Sequence, residues 1–190
     1  YDEAHGKLIA AFLDDSTSEV IRWAITDALG TLDPERVMTE AILPLIESGK
    51  LKDPAKRSER REQLIYLIGL LRHPHGTARA FVEEVLKSPD ANILQKGRAI
   101  LAIGYLLPPD WEKWKVEFEK VALNEDSSIS PKSEDQTKGI YLRTKALQAL
   151  AEIGDEKTLT QLRKKRQQWT PELERVFYST SEEIIWRNNG

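Results

Sequence analysis

The sequence of 190 residues contains no cysteine and three histidines. The absence of cysteine excludes disulfide bridges and thiolate metal sites, and it is typical of proteins in the reducing cytoplasm, where we expect this chain to act. No carboxylate near His5, His73 or His75 stands at a spacing that would complete a metal site. We therefore expect no metal and no cofactor, and we interpret His73 and His75 as exposed turn residues.

Long apolar runs and an excess of positive charge are also missing. No stretch approaches the roughly 18–20 apolar residues that cross a bilayer, so we expect no membrane partner. The formal net charge at pH 7 is −3. A negative chain has no global attraction for phosphate backbones, which disfavours nucleic acid as a partner.

The short motifs that mark common catalytic sites are absent as well. The sequence has no G-x-x-x-x-G-K-[ST], no G-x-G-x-x-G and no G-x-S-x-G, the patterns of phosphate-binding loops and nucleophile elbows. Its acidic pairs, Glu83-Glu84 and Glu182-Glu183, fit a helix surface and a helix N-terminus. We therefore expect no catalytic residues and predict that the chain is not an enzyme.

A repeated apolar pattern is the strongest feature that the sequence does contain. Four small residues mark its register: Gly30, Gly69, Gly104 and Ala151. The residues one, two and five positions before each mark, and two positions after it, are all apolar, and these offsets lie on one stripe of a helix. The residue eight positions before the mark is basic in every copy: Arg22, Arg61, Lys96 and Arg143. We predict that the small residue lets the next helix pack closely.

The marks are 39, 35 and 47 residues apart, which is the range of solenoids built from helical pairs. The long third spacing contains the segment Asn124–Gly139, in which Ile129 is the one hydrophobic residue. Such a stretch buries little apolar surface, so we predict an exposed, mobile inserted loop there.

Local signals predict where several helices begin. Asp33 and Asp110 stand where N-cap residues are expected. Ser179 and Glu182 have the spacing of a capping box that starts a last, separate helix. The residues Lys50–Arg61 are predicted to form a charged connector rather than a helix.

Two segments, Ser18–Val37 and Tyr141–Glu156, resemble HEAT-like repeats, and they look closest to the short, Ala-rich kind of the phycobilisome lyases. The resemblance covers about Asp14 to Trp169. It implies a right-handed α-solenoid whose second helices line a concave binding surface. It also implies that the repeated basic residues tie adjacent repeats together through carboxylates in the turns, for which the candidates are Asp33, Asp110 and Asp155.

The predicted fold is therefore all-α, an α-solenoid of about four HEAT-like helical pairs with a C-terminal helical cap. We expect one domain over residues 1–190. Its predicted parts are a partial repeat (1–13), repeat 1 (14–49), repeat 2 (50–88), repeat 3 (89–123), the inserted loop (124–139), repeat 4 (140–169) and the C-terminal helices (170–190).

A stacked array offers a long, rigid surface without a preformed pocket. We therefore predict a non-catalytic scaffold that binds another protein or another domain of its parent chain, as a sensor or regulatory arm of a larger signalling protein. The start at Tyr1 rather than methionine favours a piece of a longer protein. The predicted partner-binding residues are polar positions of the second helices: Arg36, Thr39, Glu40, Arg79, Glu83, Lys113, Glu117, Arg163, Lys164 and Gln167.

Two other functions stay open at this point. The basic clusters Lys50–Arg61 and Arg163–Arg166 could bind nucleic acid. HEAT-like lyases and glycosylases also exist, and such an enzyme would use the concave groove. The sequence has five tryptophans. Trp23, Trp111, Trp114 and Trp169 are predicted to pack in the core, and Trp186 is predicted to lie at an interface.

Overall fold

The computed structural model describes residues 2–48, 51, 54–130, 136–166 and 169–189. Within these ranges the chain consists of helices joined by turns, and no β-strand is present, which confirms the predicted all-α class. None of the helices in the described ranges is both long enough and apolar enough to cross a membrane.

The helices follow one another in pairs along the chain. Their bounds are α1 (Asp2–Leu13), α2 (Glu19–Leu29), α3 (Pro34–Val37), α4 (Leu43–Glu47), α5 (Pro54–Leu71), α6 (Gly76–Lys87), α7 (Ile93–Leu106), α8 (Trp111–Ala122), α9 (Gln136–Ile153), α10 (Glu156–Lys164) and α11 (Pro171–Asn189). A π-helical turn over Met38–Ile42 joins α3 to α4, so these two short helices act as one element.

The first helices of the pairs form a row in which α2 contacts α5, α5 contacts α7, α7 contacts α9 and α9 contacts α11. We call these five helices the first-helix row. The second helices, α3 with α4, α6, α8 and α10, pack behind it, as the contacts of α6 with α7 and of α8 with α9 show.

Small residues at the register marks permit close packing within this row, as predicted. A Cβ atom built on Gly104 would lie 2.9 Å from the Cβ of Ala149, and one on Gly69 would lie 3.5 Å from the Cα of Ala102. The backbones of α7 and α9, and of α5 and α7, therefore approach to within the width of a methyl group.

The repeated apolar positions form the core. All sixteen are buried except Ala28 and Leu32, which are half-buried. Leu29, Ile68 and Ile103 are fully inaccessible to solvent. Because residues at these offsets share one helical stripe, their common burial confirms the predicted register of the copies.

The segment after α8 is more ordered than the sequence suggests. Ile129 is 3% exposed, and Ser130 is buried beside it. The backbone N–H of Ser128 donates to Glu117 at 2.5 Å, and α9 already begins at Gln136. The prediction of an exposed loop over 124–139 is therefore wrong for Ile129 and Ser130, which are buried, and for residues 136–139, which belong to α9. The one apolar residue of the segment anchors it.

Two other local predictions are also wrong. The proposed connector Lys50–Arg61 is helical from Pro54, and Arg60 is 4% exposed, with its Nη1 donating to the carbonyl of Phe12 at 2.6 Å. The predicted capping box at Ser179 does not start a new helix, because α11 is continuous from Pro171 to Asn189. The C-terminal cap is one helix rather than two.

The basic residues of the repeat bind differently from what the family resemblance implies. Arg143 Nε donates to the carbonyl of Ala122 at 2.9 Å, and Lys96 Nζ donates to that of Ile129 at 3.3 Å. Arg22 pairs with Glu59 at 2.8 Å and also donates to the carbonyl of Thr17. Arg61 is buried at the corresponding position. Cations are favourable near helix C-termini, where carbonyls lack donors, and Arg143 fills such a position at the end of α8.

In the part of the chain that the structure describes, the turn carboxylates do not pair with the repeated basic residues. Asp33 accepts a hydrogen bond from the N–H of Glu35 at 3.0 Å, which confirms it as an N-cap. Asp110 occupies the N-cap position of α8, as predicted, but its side chain forms no capping hydrogen bond. Asp155 caps α10 through Thr158 at 2.9 Å and pairs with Lys115 at 2.8 Å. The expected ladder of arginines and turn carboxylates is therefore absent from the described residues.

Candidate binding surface on the first helices

The partner-binding residues predicted from the sequence are spread along the second helices, and many are engaged within their own helix. Arg36 pairs with Glu40 at 3.0 Å and with Asp2 at 2.7 Å. Thr39 is exposed, and its hydroxyl donates to the carbonyl of Glu35 at 2.9 Å. The bonds to Glu40 and Glu35 hold these side chains along their own helix, and the pair with Asp2 joins Arg36 to α1.

The same is true in α6 and α8. Arg79 lies 3.4 Å from Glu83, and Lys87 lies 3.7 Å from the same carboxylate. Lys113 is exposed, with its ammonium 5.5 Å from the centre of the Trp114 ring. These α6 and α8 side chains remain accessible and fit the sequence prediction of a polar second-helix surface.

Glu117 does not fit that prediction. It is 9% exposed and accepts hydrogen bonds from Lys120 at 2.9 Å and from the N–H of Ser128. Burial acts to raise the pKa of Glu117, but these hydrogen bonds outweigh it and hold the pKa below its usual value. The side chain is committed to the segment after α8 and is not free for a partner.

The last predicted residues lie at the end of α10. Arg163 and Lys164 are exposed, and Lys164 donates to Gln161 at 3.2 Å. Gln167 lies outside the described residues. The predicted residues that the structure describes are therefore spread along the second helices and do not form one compact cluster.

The first-helix row carries a denser cluster that the sequence did not reveal. The rings of Trp23 in α2 and Tyr66 in α5 lie 5.7 Å apart. The guanidinium of Arg98 in α7 lies 4.4 Å from the Trp23 ring centre and 4.8 Å from that of Tyr66. Arg98 thus contacts two aromatic rings from two other helices, an arrangement stabilised by cation–π attraction.

Acidic groups complete this cluster. Glu62 pairs with Arg98 at 3.1 Å, yet burial raises the pKa of Glu62 further than Arg98 lowers it. The pKa of Tyr66 is raised by burial and by Asp27, to which its hydroxyl is hydrogen-bonded. One terminal nitrogen of Arg98 is buried and has no hydrogen-bond partner in the described ranges. The cluster is half-buried and holds more charge than its hydrogen bonds neutralise.

The cluster continues onto α9 through Tyr141 and Lys145. A Cβ on Gly97 would lie 2.8 Å from the Cζ of Tyr141, so only glycine allows this ring to cross α7. The Lys145 ammonium lies 5.6 Å from the centre of the Tyr141 ring. Burial, and then the positive charge of Arg98, lowers the pKa of Lys145, while burial raises that of Tyr141.

A groove adjoins Lys145 between α7, α9 and α11. It has a volume of about 630 Å³, within the roughly 300–1,000 Å³ of common ligand sites. Its lining residues are Leu101, Tyr105, Lys145, Gln148, Ala151, Glu152, Arg175, Val176, Ser179, Thr180 and Glu183. Titratable groups with shifted pKa values beside a cleft are typical of functional sites.

The residues that the structure describes lack the pattern of a metal site. They contain no group of three or more histidine or acidic side chains that could hold a metal ion. His73 is not a free turn residue, as the sequence suggested, because its Nε2 lies 2.8 Å from Glu35 and its side chain is 26% exposed. The aromatic, cationic and acidic groups of the first-helix row can instead stack on, pair with and orient a bound chain.

Sequence reasoning missed this surface because it placed the contacts on the second helices. A signal was present in the repeat itself. The position three residues before the mark is Asp27, Tyr66, Leu101 or Gln148 in the four copies, whereas the packing positions stay apolar. A position in a repeated helix that changes its chemistry from copy to copy is not needed for packing.

Comparisons of the chain with protein-family models, with curated proteins and with solved structures find no match.

Proposed function

We propose that this chain is a non-catalytic scaffold that binds another protein or another domain of its parent chain. Its architecture, in this proposal, is an α-solenoid of four HEAT-like repeats with α11 as its C-terminal cap. Its place is that of a sensor or regulatory arm in a larger signalling protein.

The order of helix contacts supports the solenoid. Each first helix packs on the first helix of the next copy, from α2 through α5, α7 and α9 to α11. Helix packing between neighbouring repeats is the defining property of solenoids. Two long side chains reach one repeat further, Arg98 to Trp23 and Arg72 to Glu152. The buried repeat register supports the same architecture, since every copy uses equivalent positions for its core.

One observation carries the binding function. Trp23, Tyr66, Arg98 and Tyr141 come from four successive first helices and lie on one half-exposed face. Tryptophan, tyrosine and arginine are the residues most enriched at the energetic centres of protein interfaces. Their side chains are already held by mutual contacts, so little conformational entropy remains to be lost on binding.

The alternative of nucleic-acid binding loses support from the basic clusters. Arg60 is buried against the end of α1, Lys165 pairs with Glu125, and Arg166 pairs with Glu174 at 3.1 Å. Arg163 and Lys164 are the members of the second cluster that are exposed. Lys50, Lys52 and the side chains of Lys56 and Arg57, which complete the first cluster, lie outside the described residues. Affinity for a nucleic acid grows with the number of phosphates neutralised, and the described part of the two clusters offers two exposed cations for this.

The scaffold proposal is tested with a purified partner. A partner captured with the wild-type chain is produced separately, and the dissociation constant of the reconstituted complex is measured by titration calorimetry. Trp23→Ala and Tyr141→Ala are expected to weaken binding at least about tenfold, as hot-spot truncations do. Circular dichroism melting curves establish that each variant is folded.

The matched control is the second-helix surface. Lys113→Ala and Arg163→Ala remove exposed cations and are expected to leave affinity within about twofold, since rim charges contribute little. If these two variants alone lost binding, the partner would contact the second helices. Unchanged binding in all four variants would reject both surfaces.

A further inference from the structure

The groove between α7, α9 and α11 has a defined direction. Thr180 Oγ1 donates to the carbonyl of Leu147 at 3.0 Å, and Arg187 donates to that of Gly154. Both contacts join residues that are 33 positions apart. Because the offset is constant along the two helices, α9 and α11 run parallel.

This direction separates the charges of the groove into two ends. Lys145 lies at the middle of α9 and Arg175 in the amino-terminal part of α11, whereas Glu152 and Glu183 lie further toward the carboxy-terminal ends of these helices. Glu152 already has a cation, since Arg72 lies 3.4 Å from it. The acidic end is therefore partly neutralised within the protein.

The basic end has no such compensation. Lys145 donates to the neutral amide of Gln148 at 3.2 Å. Arg175 makes no hydrogen bond or ion pair with any residue of the described ranges and is exposed. The positive charge of Arg98 also acts on Lys145 and lowers its pKa, after the larger effect of burial. Lys145 and Arg175 thus line the groove as its two cations, and Arg98, which is paired with Glu62, adds positive charge beside Lys145.

Part of the groove lining is apolar. Leu101, Ala151 and Val176 contribute aliphatic surface from three helices, and Gln148 and Ser179 place an amide and a hydroxyl beside it. A ligand that fits this lining carries a negative group at one end and an aliphatic group next to it.

We propose that the groove binds an acidic segment of a partner protein, with a carboxylate between Lys145 and Arg175 and an adjacent aliphatic side chain on Leu101, Ala151 and Val176. The inference rests on the proposed scaffold function and names the chemistry of its partner. It extends the binding surface from the Trp23–Tyr66–Arg98 cluster to α11.

Charge and burial explain why a carboxylate would bind in this groove. Hydrogen bonds between a cation and a carboxylate are about twice as strong as neutral ones, and a bidentate arginine adds geometric specificity. A half-buried site screens this attraction less than bulk water does. The carboxylate would also offset the repulsion that Arg98 exerts on Lys145 although Arg98 is paired with Glu62.

The test uses two peptides that differ only in charge. The first is an acetylated and amidated pentapeptide of alternating glutamate and leucine, and the second has glutamine in place of every glutamate. Each is titrated into the full ¹⁵N-labelled chain, and the amide shifts of Gln148, Ser179 and Thr180 are followed. We expect saturable shifts with the glutamate peptide at millimolar concentration or below and at least about tenfold weaker binding of the glutamine peptide.

Two variants and a control locate the site. Lys145→Met and Arg175→Gln each remove one cation and are expected to weaken the glutamate peptide about tenfold, the equivalent of one charge-assisted hydrogen bond. Lys164→Gln removes an exposed cation of α10 and is expected to have no effect. Arg175 is exposed, so Arg175→Gln tests the site even if Lys145→Met impairs folding.

Several outcomes would reject the inference. These are equal binding of the two peptides, shifts that map outside α7, α9 and α11, no shift at millimolar peptide, or an equal response to inorganic phosphate, which would make the groove a general anion site. The scaffold proposal fails separately. If the reconstituted complex is weakened by Trp23→Ala but not by Arg175→Gln, the scaffold stands and the acidic-segment assignment is wrong.

Discussion

Replacing Gly6, Gly69 or Gly104 by alanine is expected to change the stability of the fold in different directions. The sign depends on the distance from the added Cβ atom to its neighbours. Gly6 lies within α1, where an added Cβ would meet nothing within 4 Å. An alanine there gains only helix propensity, which is about 1 kcal/mol over glycine. At Gly69 the Cβ would lie 3.5 Å from Ala102, an ordinary van der Waals contact, so we expect a similar stabilisation.

Gly104 behaves differently because its neighbour is backbone. Its Cβ would lie 2.9 Å from the Cβ of Ala149, 3.0 Å from its Cα and 3.2 Å from its carbonyl oxygen. These atoms cannot rotate away, so α7 and α9 must separate. Overpacking of this kind costs about 1–3 kcal/mol, which exceeds or equals the propensity gain of about 1 kcal/mol. The expected net effect is a destabilisation of about 1 kcal/mol.

Urea unfolding followed by circular dichroism measures the series, with thermal melting as a second probe. For a chain of this size, 1 kcal/mol corresponds to a change of about 2–4 °C in Tm. Gly6→Ala and Gly69→Ala should raise Tm by that amount, and Gly104→Ala should lower it. A stabilising Gly104→Ala would refute the close approach of α7 and α9, and a destabilising Gly69→Ala would refute the spacing of α5 and α7.

Three further predictions address the core, an anchoring arginine and a titrating carboxylate. Ile103→Ala should cost about 2–5 kcal/mol in urea unfolding because Ile103 is fully buried; a cost under about 0.5 kcal/mol would contradict the repeat register. Arg60→Met should speed hydrogen exchange at the end of α1, where Arg60 binds the carbonyls of Phe12 and Asp14; unchanged protection would show that these bonds do not hold the helix end. Burial acts to raise the pKa of Asp155, but hydrogen bonds from Lys115 and Thr158 lower it from 3.8 to about 2. A depressed carboxyl pKa stabilises the fold above the unfolded value and loses this effect as pH falls from 3.8 toward 2. Asp155→Asn should therefore cost about 1 kcal/mol at pH 7, discounted for exposure, and nothing near pH 2; a constant difference across this range would contradict the assignment.

The helical class and the core positions could be predicted because they depend on local periodicity. Leu64, Ile103 and Ala146 lie on stripes that any 3.6-residue helix would bury together, and they are buried. The small residues at the marks were predictive for the same reason, since Gly69 and Gly104 belong to that stripe and face the next helix.

The ends of the elements were predicted less well, because single residues decide them against local propensity. Ile129 anchors a polar segment that its composition assigns to solvent. Arg60 anchors a charged helical stretch by donating to the carbonyl of Phe12 in α1, far away in sequence. Propensity cannot anticipate such tertiary contacts, which outweigh it.

The candidate surface could not be predicted as a whole. Trp23, Tyr66 and Arg98 occupy different offsets from their register marks, and they meet only because α2, α5 and α7 lie side by side. The groove likewise needs α11, whose continuity the sequence did not indicate. The packing of the core follows from the repeated apolar positions. The residues of the candidate surface are those that differ between the copies, so the repeat does not predict them.

The long basic side chains that bind backbone carbonyls of other helices also bear on how the protein unfolds. Arg60 of α5 closes the end of α1, and Arg143 of α9 closes the end of α8. Each of these helix ends is thus completed by a helix that follows it in the chain. An array linked in this way couples the folding of neighbouring pairs. Removing the helix that carries Arg143 should expose the end of α8, and removing the helix that carries Arg60 should expose the end of α1, so cooperativity of unfolding should fall together with stability.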